Sequence, residues 1–265
     1  MPFAVAGHPD ARRTLRILSA YRAVGADLVE LGVPWRDPFA DGPVIAAASR
    51  AAAARGVGVH ETLALAADAV AAGSDVVVMA YAAAVADHGA FFAGCGRAGV
   101  TGAVIPDLPR HQVPRTAAVA ASYGVALAGF LTPAATREQM AEVVASASGF
   151  VYCALTGGPT GGRGRLPSSL PEFLARVRGV TPLPLAVGFG IRTTAQARRV
   201  AAVADCVIVG SALVEMVGAP GAGVTERSGN EAYLVALAER TRSFSDAVHG
   251  VRRRPDPGGA ALTTR

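Results

Sequence analysis

The sequence predicts an α/β fold, a single (β/α)8 barrel that spans residues 1–250. Short runs rich in β-branched residues alternate with Ala-rich stretches, a pattern typical of parallel strands joined by helices. A chain of 265 residues has the length that one such barrel needs. The composition does not change between the units, so we expect one domain. A doubly wound open sheet shows the same alternation and is the alternative.

Each predicted strand is a short apolar run, and each predicted helix is an Ala-rich stretch that follows one. Because alanine favours helix throughout the chain, the predicted helix ends are poorly defined. In chain order, the predicted strands are 3–6, 27–31, 75–80, 102–105, 125–131, 149–154, 184–188 and 206–209. The predicted helices are 11–24, 44–55 with 61–72, 90–98, 113–123, 137–146, 169–178, 193–203 and 231–248.

The composition predicts a cytoplasmic protein with a large buried core. Hydrophobic residues make up 51% of the chain and charged residues 17%. No apolar stretch reaches the roughly 18 residues of a membrane helix, and the N-terminus lacks the basic region and cleavage site of a secretory signal. Cys95, Cys153 and Cys206 lie far apart without metal-binding spacing, so we expect buried thiols in a reducing compartment.

The basic residues exclude one class of chemistry and do not predict nucleic-acid binding. All 25 residues counted as Lys or Arg are arginine, so the chain has no lysine amine for a Schiff base. Part of the net charge of +5 comes from arginines in the Pro/Gly-rich segment 251–265, which we expect to be a disordered tail. Aromatic residues make up only 6%, too few to line a nucleic-acid groove. The five histidines show no metal spacing, which argues against a divalent-metal aldolase.

Two carboxylates, Glu30 and Asp41, are the candidate catalytic pair. Glu30 lies in the apolar segment 27–31, where a carboxylate is costly unless it is paired or functional. Asp41 follows in a Pro- and Gly-rich loop that can turn its side chain back over the strand, although an aspartate before glycine is also common in turns. Two acids held over one cavity are what an acid/base reaction requires.

Two tyrosines lie where the active site of a barrel is expected, at the carboxyl ends of strands. Tyr81 follows the third predicted strand, and Tyr152 lies near the end of the sixth. A tyrosine in an apolar strand usually belongs to the core, so only their position makes them candidate pocket residues.

Glycines after the last strands predict a phosphate site. Gly190 follows the seventh predicted strand, and Gly210 with Ser211 follows the eighth, where barrels of the phosphate-binding type hold phosphate. Backbone N–H groups at glycine can approach phosphate oxygens closely, and a helix that begins near Ser211 would favour an anion. Gly161 could complete this cup from the Gly-rich loop 156–164, which we expect to close over substrate as a lid.

The segment 30–43, ELGVPWRDPFADGP, resembles the pattern E-L-G-[IV]-P-F-S-D-P-x-A-D-G-P of the tryptophan synthase alpha chain family. The agreement in order and spacing extends from about residue 3 to residue 217, although we expect the family's short helix before the first strand to be absent or truncated. The further matching phrases are 106–109 (PDLP), 149–152 with 158–161, 187–191 (VGFGI) and 209–212 (VGSA).

This resemblance implies a lyase that cleaves indole-3-glycerol phosphate to indole and glyceraldehyde 3-phosphate in tryptophan biosynthesis. It implies that Glu30 and Asp41 are catalytic and that Tyr152, Phe189 and Tyr81 bind the substrate. The reaction needs no cofactor and no metal, and pyridoxal phosphate is implied only on a beta-chain partner in an alpha2beta2 assembly. The implied phosphate ligands are Gly161, Gly190, Gly210 and Ser211.

Four positions depart from the family pattern, several of them in loops that face the beta chain in the family. Trp35 replaces a phenylalanine, Arg36 a small polar residue, Ala46 a glutamine and Ala83 an asparagine. Since the catalytic and phosphate-binding positions are intact, we expect catalysis to be kept and coupling to a beta chain to be altered. Three alternatives stay open: a stand-alone lyase for a specialised pathway, a non-catalytic activator of a beta chain, and a sugar-phosphate isomerase.

Overall fold

Parallel strands joined by helices make up the computed structural model of the chain. The structure describes residues 1–155, 166–188, 190–218 and 232–251, so the predicted tail 251–265 lies outside it apart from Val251. The strands within these residues are β1 (Phe3–Val5), β2 (Val29–Gly32), β3 (Val76–Met79), β4 (Gly102–Val104), β5 (Ala126–Leu127), β6 (Gly129–Leu131), β7 (Val151–Ala154), β8 (Leu185–Gly188) and β9 (Cys206–Val207).

The sheet closes into a barrel at two places. Strands β1 to β5 pair in parallel in chain order, and so do β6 to β9. Between these two groups, the N–H of Ala128 donates to β4 at 3.0 Å, and the N–H of Gly129 donates towards β7 at 3.2 Å. At the other seam, Pro2 pairs in parallel with Val209. The described residues therefore form the expected (β/α)8 barrel rather than the open sheet that was the alternative.

Several strand boundaries differ from those expected. The predicted strand 125–131 is interrupted at Ala128, because the chain changes its hydrogen-bonding partner there. The predicted strand 27–31 begins only at Val29, since Asp27 is exposed. Glu30 is consequently the second residue of β2, which ends at Gly32.

Ten α-helices connect the strands in the described residues, and most cover the Ala-rich stretches. Side-chain caps begin several of them: the Asp10 carboxylate accepts the Arg13 N–H at 2.7 Å, and Thr136 and Thr193 open capping boxes. The helices are α1 (Ala11–Ala23), α2 (Pro43–Ala54), α3 (Val59–Ala71), α4 (His88–Arg97), α5 (Val113–Ser122), α6 (Arg137–Ala145), α7 (Leu170–Arg178), α8 (Thr194–Ala201), α9 (Ser211–Val217) and α10 (Ala232–His249).

Alternation along the strands divides the core into an inner and an outer layer. In β3, Val76 and Val78 pack in the layer between sheet and helices, whereas Val77 packs inside the barrel with Tyr152. In β2, the residues on either side of Glu30, Val29 and Leu31, belong to the outer layer. The Glu30 side chain therefore points into the barrel, because successive side chains of a strand face opposite sides.

Truncation of the outer layer should destabilise the whole barrel. Leu185 of β8 is fully buried in that layer. We expect Leu185→Ala to lower the free energy of unfolding by about 2–5 kcal/mol, because the lost contacts leave a cavity. Val235→Ala is the control, since Val235 is 57% exposed, and it should change stability by less than about 0.5 kcal/mol. Equal effects of the two substitutions in denaturant unfolding would contradict this packing.

Candidate active site

The Glu30 carboxyl group is buried inside the barrel. The residue is 1% exposed, and its backbone N–H donates to Pro2 at 2.9 Å. Among the described residues, no hydrogen-bond donor reaches either carboxylate oxygen. Burial raises the pKa of Glu30 from 4.5 to about 8; the charge of the N-terminus opposes this increase, and the charge of Asp41 adds to it. At neutral pH the group is therefore mostly a protonated acid, ready to donate.

Asp41 is held over the same cavity by the loop that follows β2. Its N–H donates to the Pro38 carbonyl at 3.0 Å, which tightens the loop. The Tyr81 hydroxyl donates to Asp41 Oδ2 at 3.0 Å and accepts the Ala40 N–H at 3.1 Å. One tyrosine thus fixes both the Asp41 carboxylate and the backbone beside it.

The two carboxyl groups have different pKa values because their surroundings differ. Burial raises the pKa of Asp41 from 3.8 to about 6, while the hydrogen bond from Tyr81 lowers it. Asp41 is therefore mostly ionised at neutral pH, when Glu30 is mostly protonated. Two acids whose environments separate their pKa values in this way can act as proton donor and charge stabiliser in one reaction.

Tyr152 lies beside the two acids in the barrel interior. Its side chain is almost fully buried, and its ring centroid lies 5.3 Å from that of Phe130. Burial, followed by the charges of Glu30 and Asp41, raises the pKa of the Tyr152 hydroxyl well above its usual value, so the phenol stays neutral. Tyr152 is thus an aromatic wall next to the acids.

One pocket brings most of the predicted site residues together. Its empty space is about 410 Å³, including the part open to solvent. Tyr81 does not line it but contacts Asp41 from outside, while Phe189 and Gly161 lie outside the described residues, as does the predicted lid 156–164. The predicted residues that line the pocket are Glu30, Asp41, Tyr152, Gly190, Gly210 and Ser211.

The glycine side of the pocket has room for a ligand against the backbone. Gly190 has a φ of +79°, and, apart from its chain neighbours, no atom of the described residues lies within 4 Å of the position that a Cβ would occupy. At Gly210 a Cβ would meet Ile45 at 3.4 Å, an ordinary contact. Ser211 begins the seven-residue helix α9 directly after this glycine. The backbone of these residues can therefore approach a bound group closely.

Five apolar pocket residues were missed by the sequence analysis. They come from β1, α2, β3 and the segments after β8 and β9, and they give the pocket a wall suited to a flat apolar ring. Side-chain alternation along the strands could have identified Phe3 and Met79, but no such signal exists for a residue of a helix such as Ile45. The five are Phe3, Ile45, Met79, Ile191 and Ile208.

Asp107, to which the sequence analysis assigned no role in the site, supports the tyrosine that holds Asp41. Asp107, in the loop after β4, accepts the Ala82 N–H at 2.8 Å, directly after Tyr81. The aspartate thereby fixes the backbone next to that tyrosine. The side-chain ring of Tyr81 also contacts Phe39, with ring centroids 5.0 Å apart.

In residues 1–155, 166–188, 190–218 and 232–251, no three His, Cys, Asp or Glu side chains are grouped as metal ligands would be. In the same part of the chain, no helix combines the length and apolar character needed to cross a membrane.

Comparison with known proteins gives a consistent result over nearly the whole chain. Residues 1–249 match the family model described as tryptophan synthase alpha chain. The alpha chain from Bordetella parapertussis is 37% identical over 261 residues, 97% of this chain and 92% of that protein. The alpha chain from Carboxydothermus hydrogenoformans is 38% identical over 81% of this chain and 82% of that protein.

Solved structures show the same similarity. A structure of Mycobacterium tuberculosis tryptophan synthase superposes with a TM-score of 0.82 at 34% identity, covering 93% of this chain and 91% of that one. The tryptophan synthase alpha chain from Legionella pneumophila gives a TM-score of 0.79 at 27% identity, covering 94% and 91%.

The buried acid should make stability depend on pH. Because the pKa of Glu30 is about 8 when folded and 4.5 ordinarily, the folded chain holds the extra proton between these values. Its contribution to the free energy of unfolding therefore falls as pH rises through this range, on the order of a few kcal/mol in total. We expect Glu30→Gln to remove this part of the dependence.

Denaturant unfolding of both proteins from about pH 5 to about pH 8 measures this difference. The variant should match the parent protein at the acidic end and exceed its stability at the basic end. Parallel stability curves for the two proteins would contradict a raised pKa at Glu30.

Proposed function

This chain belongs to the tryptophan synthase alpha chain family, and we propose that Glu30 and Asp41 perform the family's reaction. That reaction is the retro-aldol cleavage of indole-3-glycerol phosphate to indole and glyceraldehyde 3-phosphate, a carbon–carbon lyase reaction of tryptophan biosynthesis. The family needs no cofactor for it. The observation that supports these two roles most is the unpaired, buried Glu30 carboxyl beside an ionised Asp41 in a pocket with an apolar wall.

The first step that we assign is protonation of the indole ring. The protonated Glu30 carboxyl donates its proton to C3 of the indole, which turns the ring into an indolenine cation. Asp41, as a carboxylate, accepts a hydrogen bond from the ring N–H and stabilises the positive charge. Tyr152 packs against the ring, and Phe189, outside the described residues, is proposed as a further wall of the indole pocket.

The second step restores the enzyme. The Glu30 carboxylate takes the proton of the glycerol hydroxyl next to the ring, and that carbon becomes the aldehyde. The bond between this carbon and C3 breaks, and its electron pair returns to the ring, which releases neutral indole. Glu30 is protonated again at the end, so one residue acts first as acid and then as base.

We assign phosphate binding to the glycine side of the pocket. The backbone N–H groups at Gly190, Gly210 and Ser211 and the Ser211 hydroxyl are the proposed donors, supported by the open space beside Gly190. Gly161, outside the described residues, is proposed as a further ligand by its position in the family motif. A phosphate held here places the rest of the substrate across the apolar wall towards the acids.

We also propose that a beta chain partners this subunit in an alpha2beta2 assembly in the cytoplasm, with altered coupling. The loop that carries Asp41 exposes Arg36 and the ring of Phe39, which is 61% exposed. Ala83, two residues after Tyr81, is also exposed, and the family pattern has an asparagine at this position. Changes on this surface alter contacts with a partner without touching the acids, which supports retained catalysis.

The central test is indole release by the purified chain alone. We expect cleavage of indole-3-glycerol phosphate, and we expect Glu30→Gln to reduce kcat by at least about a thousandfold because it removes both acid and base. Glu172→Gln is the control, since Glu172 is an exposed residue of the distant helix α7. If the parent chain shows no turnover, alone or with a beta chain, the proposed reaction is contradicted, and the remaining interpretation is a non-catalytic activator of a beta chain.

Adding a beta chain separates the remaining alternatives. Full activity alone and no complex on mixing would support a stand-alone lyase that supplies indole to a specialised pathway. Complex formation with little activation fits altered coupling, whereas strong activation by the beta chain would contradict it. Turnover of a sugar phosphate without indole release would indicate an isomerase.

The hydrogen bond from Tyr81 should set the acidic limb of the pH profile. Tyr81→Phe removes the donor to Asp41, so the pKa of Asp41 should rise above about 6 and the limb of kcat/KM should move to higher pH. We expect kcat/KM at neutral pH to fall about tenfold, the usual cost of one hydrogen bond to a charged group. Tyr123→Phe is the control, because Tyr123 is 44% exposed. An unmoved limb would contradict the role of Tyr81.

A further inference from the structure

We propose that the ion pair between Arg192 and Glu215 positions the backbone donors of the phosphate site. It holds Gly190, on one side of this site, at a fixed separation from Gly210 and Ser211 on the other. The inference rests on the proposed function, since it concerns how that phosphate site is kept in shape. Arg192 follows Gly190 and Ile191 in the loop after β8, and Glu215 lies in α9. The Arg192 guanidinium donates to Glu215 Oε2. The contact joins two segments that each contribute residues to the pocket.

The loop after β8 needs such a support because its pocket residue has no side chain. Within the described residues, and apart from its chain neighbours, no atom lies within 4 Å of the position that a Cβ of Gly190 would occupy, so close packing does not fix its place. Its φ of +79° lies in a region that glycine adopts readily and other residues rarely adopt. The backbone at a glycine also has more conformational freedom than at other residues. We infer that the residues that follow it help to set the position of its N–H, together with the end of β8 at Gly188.

Three contacts converge on Arg192 and supply this support. Its N–H donates to Gln196 Oε1 at 2.8 Å, and its carbonyl accepts from the Arg240 guanidinium at 2.8 Å. Arg240 is itself held over the Phe244 ring, 4.8 Å from its centroid. The backbone of Arg192 is thus anchored to α8 and α10, while its side chain alone reaches α9.

Glu215 lies one helical turn from the phosphate end of α9. It follows Ser211 by four residues, so both side chains lie on the same face of the helix. The ion pair at Glu215 therefore also restrains the position of the segment that presents Gly210 and Ser211. Backbone donors cannot adjust to a ligand as long side chains do, so their spacing has to be right before the phosphate arrives.

The geometry distinguishes this role from direct phosphate binding by Arg192. If the pair positions the cup, Glu215→Gln and Arg192→Gln should both raise KM for indole-3-glycerol phosphate about tenfold, with kcat changed less than about twofold. If Arg192 instead binds phosphate, removal of its competitor in Glu215→Gln should lower KM. The sign of the Glu215 effect therefore decides between the two roles.

The experiment measures KM and kcat of both single variants, the double variant and Arg199→Gln as control, an exposed arginine of α8. Affinity for sn-glycerol 3-phosphate, measured by calorimetry, gives a readout that does not need turnover. We expect the double variant to be no worse than either single one, because both remove the same contact. Exchange of the two residues, Arg192→Glu with Glu215→Arg, should recover part of the loss.

Three outcomes would overturn the proposal: a lower KM in Glu215→Gln, additive losses in the double variant, or loss of thermal stability with KM and phosphate affinity unchanged. If the parent chain cleaves no indole-3-glycerol phosphate, the proposed function fails. The pair is then still judged by the affinity for sn-glycerol 3-phosphate. Unchanged affinity in both single variants counts against it.

Discussion

Removal of the Glu30 carboxyl group from water is the constraint on which the rest of the site depends. A buried carboxylate without a hydrogen bond is unfavourable, so the group takes up a proton and its pKa rises to about 8. In the proposed reaction, the proton that the group takes up is the one that the indole ring receives. The free-energy cost of burying this carboxyl group is offset because Val29 and Leu31, on either side, bury their side chains in the opposite layer of the core.

The barrel separates the tasks of the site among different elements. One side of the pocket carries the acids, with Glu30 on β2 and Asp41 in the loop that follows it. The other side carries the glycines after β8 and β9, and the apolar wall lies between them. Because the substrate has a polar phosphate, a reacting carbon and a flat ring, this division lets each part meet a matching surface. A change in one element can therefore alter binding, chemistry or partner contact separately.

The alternation of strands and helices and the buried acid were predictable because their signals are local. An acidic residue in an apolar run, as at Glu30, needs no knowledge of distant parts of the chain. The role of Asp41 was not evident from its local sequence, since its loop could have been an ordinary turn. The Tyr81 hydroxyl, 40 residues away, holds its carboxylate over the pocket. Contacts between separate segments, such as that of Arg192 in a loop with Glu215 in α9, arise only when the barrel closes, so no spacing in the sequence indicates them.

The most direct measurement of the central claim is a titration of the Glu30 carboxyl group itself. Carbon-13 NMR of protein labelled at the glutamate carboxyl carbons, with Glu30→Gln to assign the signal, follows this group without turnover. The account predicts one glutamate that titrates near the raised value of about 8, with a signal absent from the variant. A Glu30 signal that titrates near 4.5 would contradict it, because the acid would then be ionised at neutral pH with no proton to give.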